Sequence, residues 1–394
     1  MKFLNQVQRI TLLIFFFSIN FEVWNPLGNG GDFSIAKLTA MLYFISIAPQ
    51  LPQFFRISNL KSLLTPIWVF FCFLTIMSIF NINELYSKFF STSIFLNIII
   101  FWILINHERK DYLIIEKGML SFAFGSFALS LLYFAGIGVE YTQGRLSMFG
   151  DNQNALGLKM AIAVIIILTS VAQNRLNFGW YRYLLLILVP FMLTFIGATG
   201  SRVAAIAFVL AFITAILLFK TKNNLTKIFT IIGGGIILIF LVILIIQSGT
   251  LLNRLEDTSK SGDLGERDMI WRTISPIIVG NPFFGIGETG YEYETTAIFG
   301  NTVSPHNVIL EVICYTGFFG LIIYSIFLYR VFLRSYQSYL TNGWLLPILL
   351  TIPVIGSILS GQILDVKIGW IIFSYIISTS AIKNTNEFKI NEIT

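Results

Sequence analysis

The segment NALGLKMAIAVIIILTSVA at residues 154–172 decides the fold class of this chain, because it is almost wholly apolar and has the length of a transmembrane helix. A helix needs about 20 apolar residues to cross the hydrocarbon core of a bilayer. Hydrophobic residues make up 56% of the chain and charged residues only 12%. The mean hydropathy of +0.79 is far above that of a soluble globular domain. These features predict an all-α integral membrane protein.

Segments of the same kind recur along the chain and predict about twelve transmembrane helices. The expected spans are 6–24, 35–54, 64–80, 89–105, 112–135, 154–172, 181–198, 202–219, 228–247, 306–329, 344–360 and 363–382. Asp365 and Lys367 shorten the last span, and few residues separate it from its neighbour, so about eleven spans fit equally well. We interpret residues 1–394 as a single polytopic membrane domain.

The distribution of Lys and Arg predicts the orientation in the bilayer, because short cytoplasmic loops retain basic residues. A cytoplasmic N-terminus puts the basic residues of every alternate loop on that side, among them Arg56, Lys61, Arg109, Lys110, Arg330 and Arg334. We therefore expect both termini in the cytoplasm. The first apolar segment runs into Glu22 without a small-residue cleavage site, so we expect a retained N-terminal anchor.

One long polar stretch interrupts the apolar sequence and falls on the outer side of the membrane. We expect residues 248–305 to form a large outer loop in which the chemistry of the protein is concentrated. Asp263 and Glu266 have the spacing of a helix-capping box, and apolar residues follow at helical intervals. They predict a short amphipathic helix over about 264–275, with Pro276 and Gly280-Asn281-Pro282 as the signals that end it.

The sequence argues against several common kinds of site. Cys72 and Cys314 lie far apart in apolar segments, which predicts neither a disulfide nor a cysteine metal site. The two histidines, His107 and His306, fall on opposite sides of the membrane, so no metal centre is expected. The formal net charge of +6 comes from basic residues scattered between spans, which argues against a nucleic acid partner. A dinucleotide fingerprint at 285–290 has no preceding βαβ unit and is interpreted as turn chemistry.

Arg202 opens the eighth predicted span directly after Ser201, a favourable N-cap residue. A cation in the first turn opposes the helix dipole by about 0.3–1 kcal/mol, whereas the unpaired amide groups there favour an anion. We interpret Arg202 as part of a phosphate or carboxylate site; interfacial snorkelling or an ion pair with an outer-loop acid is the alternative. Arg145 lies in a polar, glycine-punctuated loop and is either a second anion ligand or a solvated loop residue.

Arg267 and Arg272 fall on the predicted amphipathic helix. Asp268 and Arg272 are four residues apart and are expected to form an ion pair. Arg267 stays outside that pair and precedes Trp271 by four residues. It is therefore expected either to bind an anion or to stack on the indole ring.

His306 is the candidate proton acceptor. Ser304 as an N-cap and Pro305 at the first helical position would place its ring in the opening turn of the tenth span. Because the positive end of a helix disfavours imidazolium, we expect a neutral ring near neutral pH; filling of the membrane interface is the alternative. Glu311 lies about one turn into that span, where an unpaired charge costs about 2.5–3.5 kcal/mol. We expect it to face the protein interior and to orient His306 or an arginine.

Several short motifs resemble those of the O-antigen ligase and polymerase family, in the same order and on the expected side of the membrane. They are Gly144-Arg145, Asn154-Ala155-Leu156-Gly157, Thr199-Gly200-Ser201-Arg202, Arg267-Asp268-Met269-Ile270-Trp271, Asn281-Pro282-Phe283-Phe284-Gly285-Ile286-Gly287, and His306-Asn307 with Gly317-Phe318-Phe319-Gly320. The similarity covers mainly residues 140–325, and the first five spans agree only in topology.

The resemblance implies a glycosyltransferase of the bacterial inner membrane that acts on the periplasmic face without a metal or cofactor. It would take glycan from undecaprenyl diphosphate and deliver it to a sugar hydroxyl of lipid A-core, as a ligase, or of another lipid-linked repeat unit, as a polymerase. By position, Arg202 and Arg267 would bind the diphosphate and His306 would assist the acceptor. The other residues expected at the substrate site are Arg145, Arg272, Asn154, Trp271, Asn307 and Glu311.

Two classes of protein other than a glycosyltransferase are also consistent with these residue types. A transporter or flippase for a lipid-linked or anionic solute also needs arginines, but it usually places charges near the bilayer midplane. Here only Lys159 and Glu311 lie near that depth, which favours an enzyme acting on one face. A noncatalytic scaffold for polysaccharide assembly is the second rival. The resemblance also leaves room for a chain-length regulator as a partner.

Overall fold

The computed structural model describes residues 2–28, 33–57, 60–83, 86, 89–142, 144–219, 267–361 and 364–381, with scattered residues between 233 and 256. Its α-helices, in chain order, are α1 Lys2–Ser18, α2 Ile35–Ile47, α3 Leu51–Phe54, α4 Lys61–Phe80, α5 Thr92–Lys110, α6 Ile114–Phe134, α7 Gln153–Gln173, α8 Val189–Thr199, α9 Arg202–Leu218, α10 Arg267–Gly280, α11 Gly287–Phe299, α12 Val308–Asn342, α13 Leu345–Ser360 and α14 Lys367–Ala381. Short 3₁₀ segments lie at Ile19–Phe21, Ala48–Gln50 and Gly179–Leu188.

Six of the described helical segments are long and apolar enough to cross a membrane. They are Ile35–Phe54, Lys61–Phe80, Ile114–Phe134, Gln153–Gln173, Gly179–Thr199 and Val308–Asn342. Two shorter apolar helices are Arg202–Leu218 and Leu345–Ser360. A helix lies at each predicted span except the ninth, 228–247, most of which falls outside the described residues. The chain is a multi-pass, all-α membrane protein, and the count of about twelve spans stays a prediction.

Helix α7 lies at the centre of the helices that build the site. It contacts α6, α8, α9 and α13, and every residue from Leu156 to Ile167 is buried. A helix that is surrounded by other helices needs apolar side chains on all of its faces. This requirement explains why the segment 154–172 is almost wholly apolar and shows no amphipathic period.

A buried polar group joins the C-terminal end of α7 to its neighbours. The Arg175 guanidinium, just after α7, donates to the Glu116 carboxylate of α6 at 2.5 Å and to the Tyr375 hydroxyl of α14 at 3.0 Å. It also lies over the Trp344 ring, 3.7 Å from the centroid. Because a buried charge must be paired, this group specifies how α6 and α14 meet.

Helix α12 is broken at Gly317, whose φ of 60° and ψ of −167° are not helical. The N–H groups of Phe318 and Phe319 therefore lack partners within the helix and donate instead to the carbonyls of Pro282 and Phe283, at 2.9 and 3.2 Å. The connection between α10 and α11 is thus hydrogen-bonded directly to the break. This contact holds the segment from α10 to α11 in a fixed position on the membrane helices.

Two of the segments that connect the membrane helices differ from the prediction. The loop before α7 forms an antiparallel hairpin of β1 Val139–Thr142 and β2 Arg145–Met148, with Thr142 opposite Arg145. In the large loop, α10 continues through Pro276 to Gly280, because the φ of proline suits a helix and only one hydrogen bond is lost. The predicted capping box at Asp263 and Glu266 lies outside the described residues.

Candidate functional site

The turn from Thr199 to Arg202 packs closely against α7. Gly200 adopts a left-handed φ of 59°, and the Ser201 hydroxyl accepts a hydrogen bond from the Ala204 N–H at 3.3 Å. The prediction of Ser201 as N-cap with Arg202 in the first turn of α9 is therefore confirmed. A Cβ on Gly157 of α7 would lie only 2.8 Å from the Ser201 Cβ. The glycine thus allows the turn that carries Arg202 to approach α7.

Arg145 is a buried connecting residue in the hairpin, with 9% of its surface exposed. Its Nε donates to the Thr199 carbonyl at 3.1 Å, and its Nη2 donates to the Asn154 side-chain oxygen at 2.8 Å. The interpretation of Arg145 as a solvated loop residue is therefore wrong, because β2 directs its side chain inward. The guanidinium fixes the turn before Arg202 relative to the first turn of α7.

Helix α10 places Arg267 and Trp271 on the side that faces the membrane helices, with Ile270 and Ile274 buried beside them. The Arg267 Nη2 donates to the Ser360 carbonyl at the end of α13, at 3.3 Å. Burial and the positive charge of Arg202 both lower the pKa of Arg267 from its usual 12.5. Arginine nevertheless stays protonated near neutral pH, so Arg267 is a partly buried cation that feels the charge of Arg202.

Two predicted contacts of α10 are not formed among the described residues. Asp268 and Arg272 are both exposed and make no ion pair. A surface pair of this kind contributes only about 0.3–0.5 kcal/mol, which does not hold two mobile side chains together. Arg267 does not stack on Trp271; the indole Nε1 donates to the Pro305 carbonyl at 2.9 Å instead. That bond joins α10 to the residue before His306.

His306 lies before α12 rather than in its first turn. The N-cap is Asn307, whose side chain accepts hydrogen bonds from the N–H groups of Ile309 and Leu310 at 2.9 and 3.3 Å. The predicted N-cap at Ser304 is wrong. Asn307 is an equally good N-cap residue and lies closer to the apolar run that begins at Val308. The Ser304 hydroxyl accepts from the His306 N–H at 3.2 Å, and His306 has a left-handed φ of 50°.

The ring of His306 is kept neutral by its surroundings. Burial is the first cause that lowers its pKa from 6.5, and the charge of Arg267 is the second. The prediction named the positive end of a helix as the cause; the direction of the shift agrees, but a neighbouring guanidinium supplies the charge. A neutral imidazole next to a cation can accept a proton and then release it readily.

A cavity of about 80 Å³ lies beside His306. Its polar lining is Asn152, Asn154, Lys159, His306, Ser357 and Ser360, and its apolar lining comes from α7, α13 and the start of α14. Asn154 also contacts Arg145, and Ser360 also contacts Arg267. The volume has room for several water molecules and suits a group of phosphate size rather than a whole glycan.

Two of the other predicted site residues, Glu311 and Arg272, do not line this cavity. Glu311 is buried, as expected, but its Oε1 accepts from the Tyr315 hydroxyl at 3.2 Å rather than from His306 or an arginine. The spacing of four residues within one helix makes Tyr315 the nearer donor. Arg272 points into solvent. Sequence reasoning missed Lys159 and Ser360 as cavity residues, although a lysine in an apolar span was a usable signal.

A comparison with known protein families gives a match to the region that contains the arginines and the histidine described above. The sequence model of the O-antigen ligase family matches residues 187–325, a region that contains Arg202, Arg267 and His306. No curated protein sequence matches the chain significantly. This match over about a third of the chain supports an assignment to the O-antigen ligase/polymerase family, and the multi-pass helical fold is consistent with it.

Proposed function

We propose that the protein is a glycosyltransferase that moves glycan from undecaprenyl diphosphate to an acceptor sugar hydroxyl at the periplasmic face of the bacterial inner membrane. One observation carries the proposal. His306 and Arg267 lie close enough for the charge of Arg267 to lower the pKa of the imidazole, and Arg202 acts on Arg267 in the same way. The three groups come from separate segments of the chain; His306 lines the cavity, and Arg267 donates to the carbonyl of Ser360, which also lines it.

In the proposed reaction, the neutral His306 accepts the proton of the acceptor hydroxyl as its oxygen attacks the anomeric carbon. The bond from that carbon to the phosphate oxygen breaks, and undecaprenyl diphosphate leaves with the electron pair. Arg202 and Arg267 stabilise the charge that develops on the diphosphate, because guanidinium groups form paired, charge-assisted hydrogen bonds with phosphate oxygens. Inversion at the anomeric carbon is the simplest stereochemical outcome of this single displacement.

The supporting residues would position the side chains of the site and would not contact the reacting atoms. Arg145 and Asn154 would hold the turn that carries Arg202, and the bond from Trp271 to Pro305 would hold the segment that carries His306. Asn307 would set the start of α12 next to the base. Arg272 and Glu311 do not line the cavity, and we give them a secondary role in binding the glycan.

Transfer by the purified protein in detergent, with and without a chelator, tests the chemistry. The expected result is the same rate of glycan transfer under both conditions, since fixed guanidinium groups can replace a metal at a departing diphosphate. A strict requirement for a divalent ion would remove the arginine-only mechanism. Transport of the lipid-linked donor between leaflets without any new glycosidic bond would favour the transporter or flippase instead.

The acceptor distinguishes a ligase from a polymerase, and a deletion strain reveals it. If surface glycan collapses from a ladder to a single repeat unit, the protein joins repeat units to each other. If long glycan accumulates on undecaprenyl diphosphate, the protein transfers finished chains to lipid A-core. Both outcomes keep His306 as the base, because the reacting groups are the same.

The proposed side of action is testable separately. Reporter fusions within 267–305 are expected to report the periplasm, and fusions at either terminus the cytoplasm. A cytoplasmic signal from 267–305 would separate the arginines from a periplasmic donor and would overturn the proposed location.

A further inference from the structure

A buried ion pair lies against the cavity, beyond the residues assigned above. The Lys159 Nζ donates to the Asp151 Oδ2 at 2.7 Å, and the exposed fractions of the two side chains are 3% and 10%. Lys159 lies nearly two turns into α7, whereas Asp151 precedes its N-cap. Such a pair is expensive to bury, so its presence next to a cavity calls for a reason other than stability.

The lysine has unused hydrogen-bonding capacity. An ammonium group carries three N–H donors, and within the described part of the chain Asp151 is its one hydrogen-bond partner. Lys159 lines the cavity together with His306 and Asn154. An anionic group in the cavity could therefore accept from Lys159 without breaking the existing ion pair.

Asp151 is held from several directions. Its Oδ1 accepts from the Asn152 N–H at 2.8 Å, and its carbonyl accepts from the Ser147 hydroxyl at 2.8 Å. The carboxylate is thus fixed at the base of the hairpin. It partly neutralises Lys159 and, at the same time, keeps the ammonium group at the cavity wall.

A second ion pair lies close to the first. Lys367, the first residue of α14, donates to the Glu22 carboxylate, and Glu22 also acts electrostatically on Lys159. The two pairs together have no net charge. An anion that enters the cavity therefore meets a cation whose attraction is moderated by two carboxylates, which limits how tightly a leaving group is retained.

We propose that Lys159 is a further cationic contact for the diphosphate of the donor, with Asp151 setting the strength of that contact. This inference rests on the proposed function and adds a residue to the same site. Arg267 approaches the cavity at Ser360, His306 lines it, and Lys159 forms the wall contributed by α7. A phosphate group in the cavity would then be contacted by cations from two sides, with the imidazole at its edge.

Binding of inorganic pyrophosphate and of farnesyl diphosphate to the full chain in detergent, measured by calorimetry, tests the proposal. For Lys159→Gln we expect a loss of affinity of about tenfold to a hundredfold, the effect of one charge-assisted hydrogen bond. For Lys159→Arg we expect most of the affinity to be retained. For Asp151→Asn we expect about tenfold tighter binding, because the competing negative charge is removed.

The double variant Asp151→Asn/Lys159→Gln keeps the measurement interpretable if a single variant folds poorly. It leaves no unpaired buried charge, so α7 should pack normally, and its affinity should fall to that of Lys159→Gln. The matched control is Glu116→Gln, which breaks the buried ion pair with Arg175 at the other end of α7. It should lower the melting temperature and leave pyrophosphate affinity unchanged.

The binding measurements distinguish failure of the Lys159 contact from failure of the proposed diphosphate site. If Asp151→Asn and Lys159→Gln weaken binding equally, or if the double variant binds like the unmodified protein, the ion pair is only structural and Lys159 is not a ligand. If binding is unaffected by Lys159→Gln yet lost in Arg267→Gln, the diphosphate site stands without Lys159. If the unmodified protein binds neither probe, the proposed donor site itself is wrong.

Discussion

Arg145 and Asn154 are joined by a hydrogen bond of 2.8 Å from the Nη2 of the arginine to the side-chain oxygen of the asparagine. The same guanidinium reaches the Thr199 carbonyl at 3.1 Å, across 54 residues of sequence. A strand, the first turn of α7 and the end of α8 are therefore connected through one planar side chain. The position of Arg202, three residues after Thr199, depends on this connection.

Replacement of Arg145 by lysine should not preserve the connection. The ammonium group cannot reproduce the fork geometry that serves two acceptors at once, so at least one buried acceptor would lose its partner, at about 1–3 kcal/mol. We expect a lower melting temperature in detergent together with a reduced rate of glycan transfer. Arg56→Lys, at an exposed position, is the control and should change neither quantity. Full stability of Arg145→Lys would mean that the turn is held by other contacts.

The pH dependence of turnover should follow the ionisation of His306. Because burial and Arg267 lower its pKa below 6.5, the imidazole stays neutral down to more acidic pH than an ordinary histidine. Turnover should accordingly persist at pH 6.5 and decline only below it. In Arg267→Gln the repulsive charge is gone, the pKa rises towards 6.5, and the acid limb should move to higher pH, whatever the absolute rate. An unmoved limb would show that another group controls the acid side.

Gly157→Ala should disturb the turn that carries Arg202. The new Cβ would meet the Ser201 Cβ at 2.8 Å and the Thr199 Oγ1 at 2.9 Å, and overpacking of this kind typically costs about 1–3 kcal/mol. We expect a lower rate of transfer and weaker pyrophosphate binding. Gly280→Ala is the control, since its Cβ would meet no atom within 4 Å. Equal activity of the two variants would show that the close approach has no effect on Arg202.

Gly317→Ala should be more damaging than Gly157→Ala, because Gly317 has both a left-handed backbone conformation and a close contact with Phe283. The residue has a φ of 60°, and an added Cβ would lie 2.3 Å from the Phe283 carbonyl carbon. We expect the connection between α10 and α11 to detach from α12, with loss of folded protein and of activity. Gly343→Asn, which also replaces a left-handed glycine but in open space, should be tolerated. If both variants behave alike, backbone conformation alone and not the contact with Phe283 is what matters.

The membrane spans were predictable because the bilayer imposes their length and composition regardless of tertiary packing. The N-cap at Ser201 was predictable for a similar reason, since capping uses only atoms that are adjacent in sequence. Both features are local: six candidate spans and the Ser201 cap lie where the residue pattern indicated them.

The contacts of the site were much less predictable, because they join segments that are distant in sequence. Gly144 and Gly150 are typical of a loop before α7, but this segment forms a hairpin that turns Arg145 inward. Asn307 and Ser304 are both good N-caps, and tertiary packing selected the former. Trp271 found a partner in the Pro305 carbonyl rather than in its helical neighbour Arg267. Local spacing could not distinguish these alternatives.

The most direct test is single-turnover glycan transfer by the purified protein and by His306→Ala, with the protein in excess over the donor and with chelator present. Loss of a positioned general base typically lowers the rate by about a hundredfold to ten-thousandfold, so the variant should fall by at least a hundredfold while still binding pyrophosphate. Transfer by His306→Ala at the unmodified rate would show that His306 does not accept the proton and would contradict the proposed mechanism.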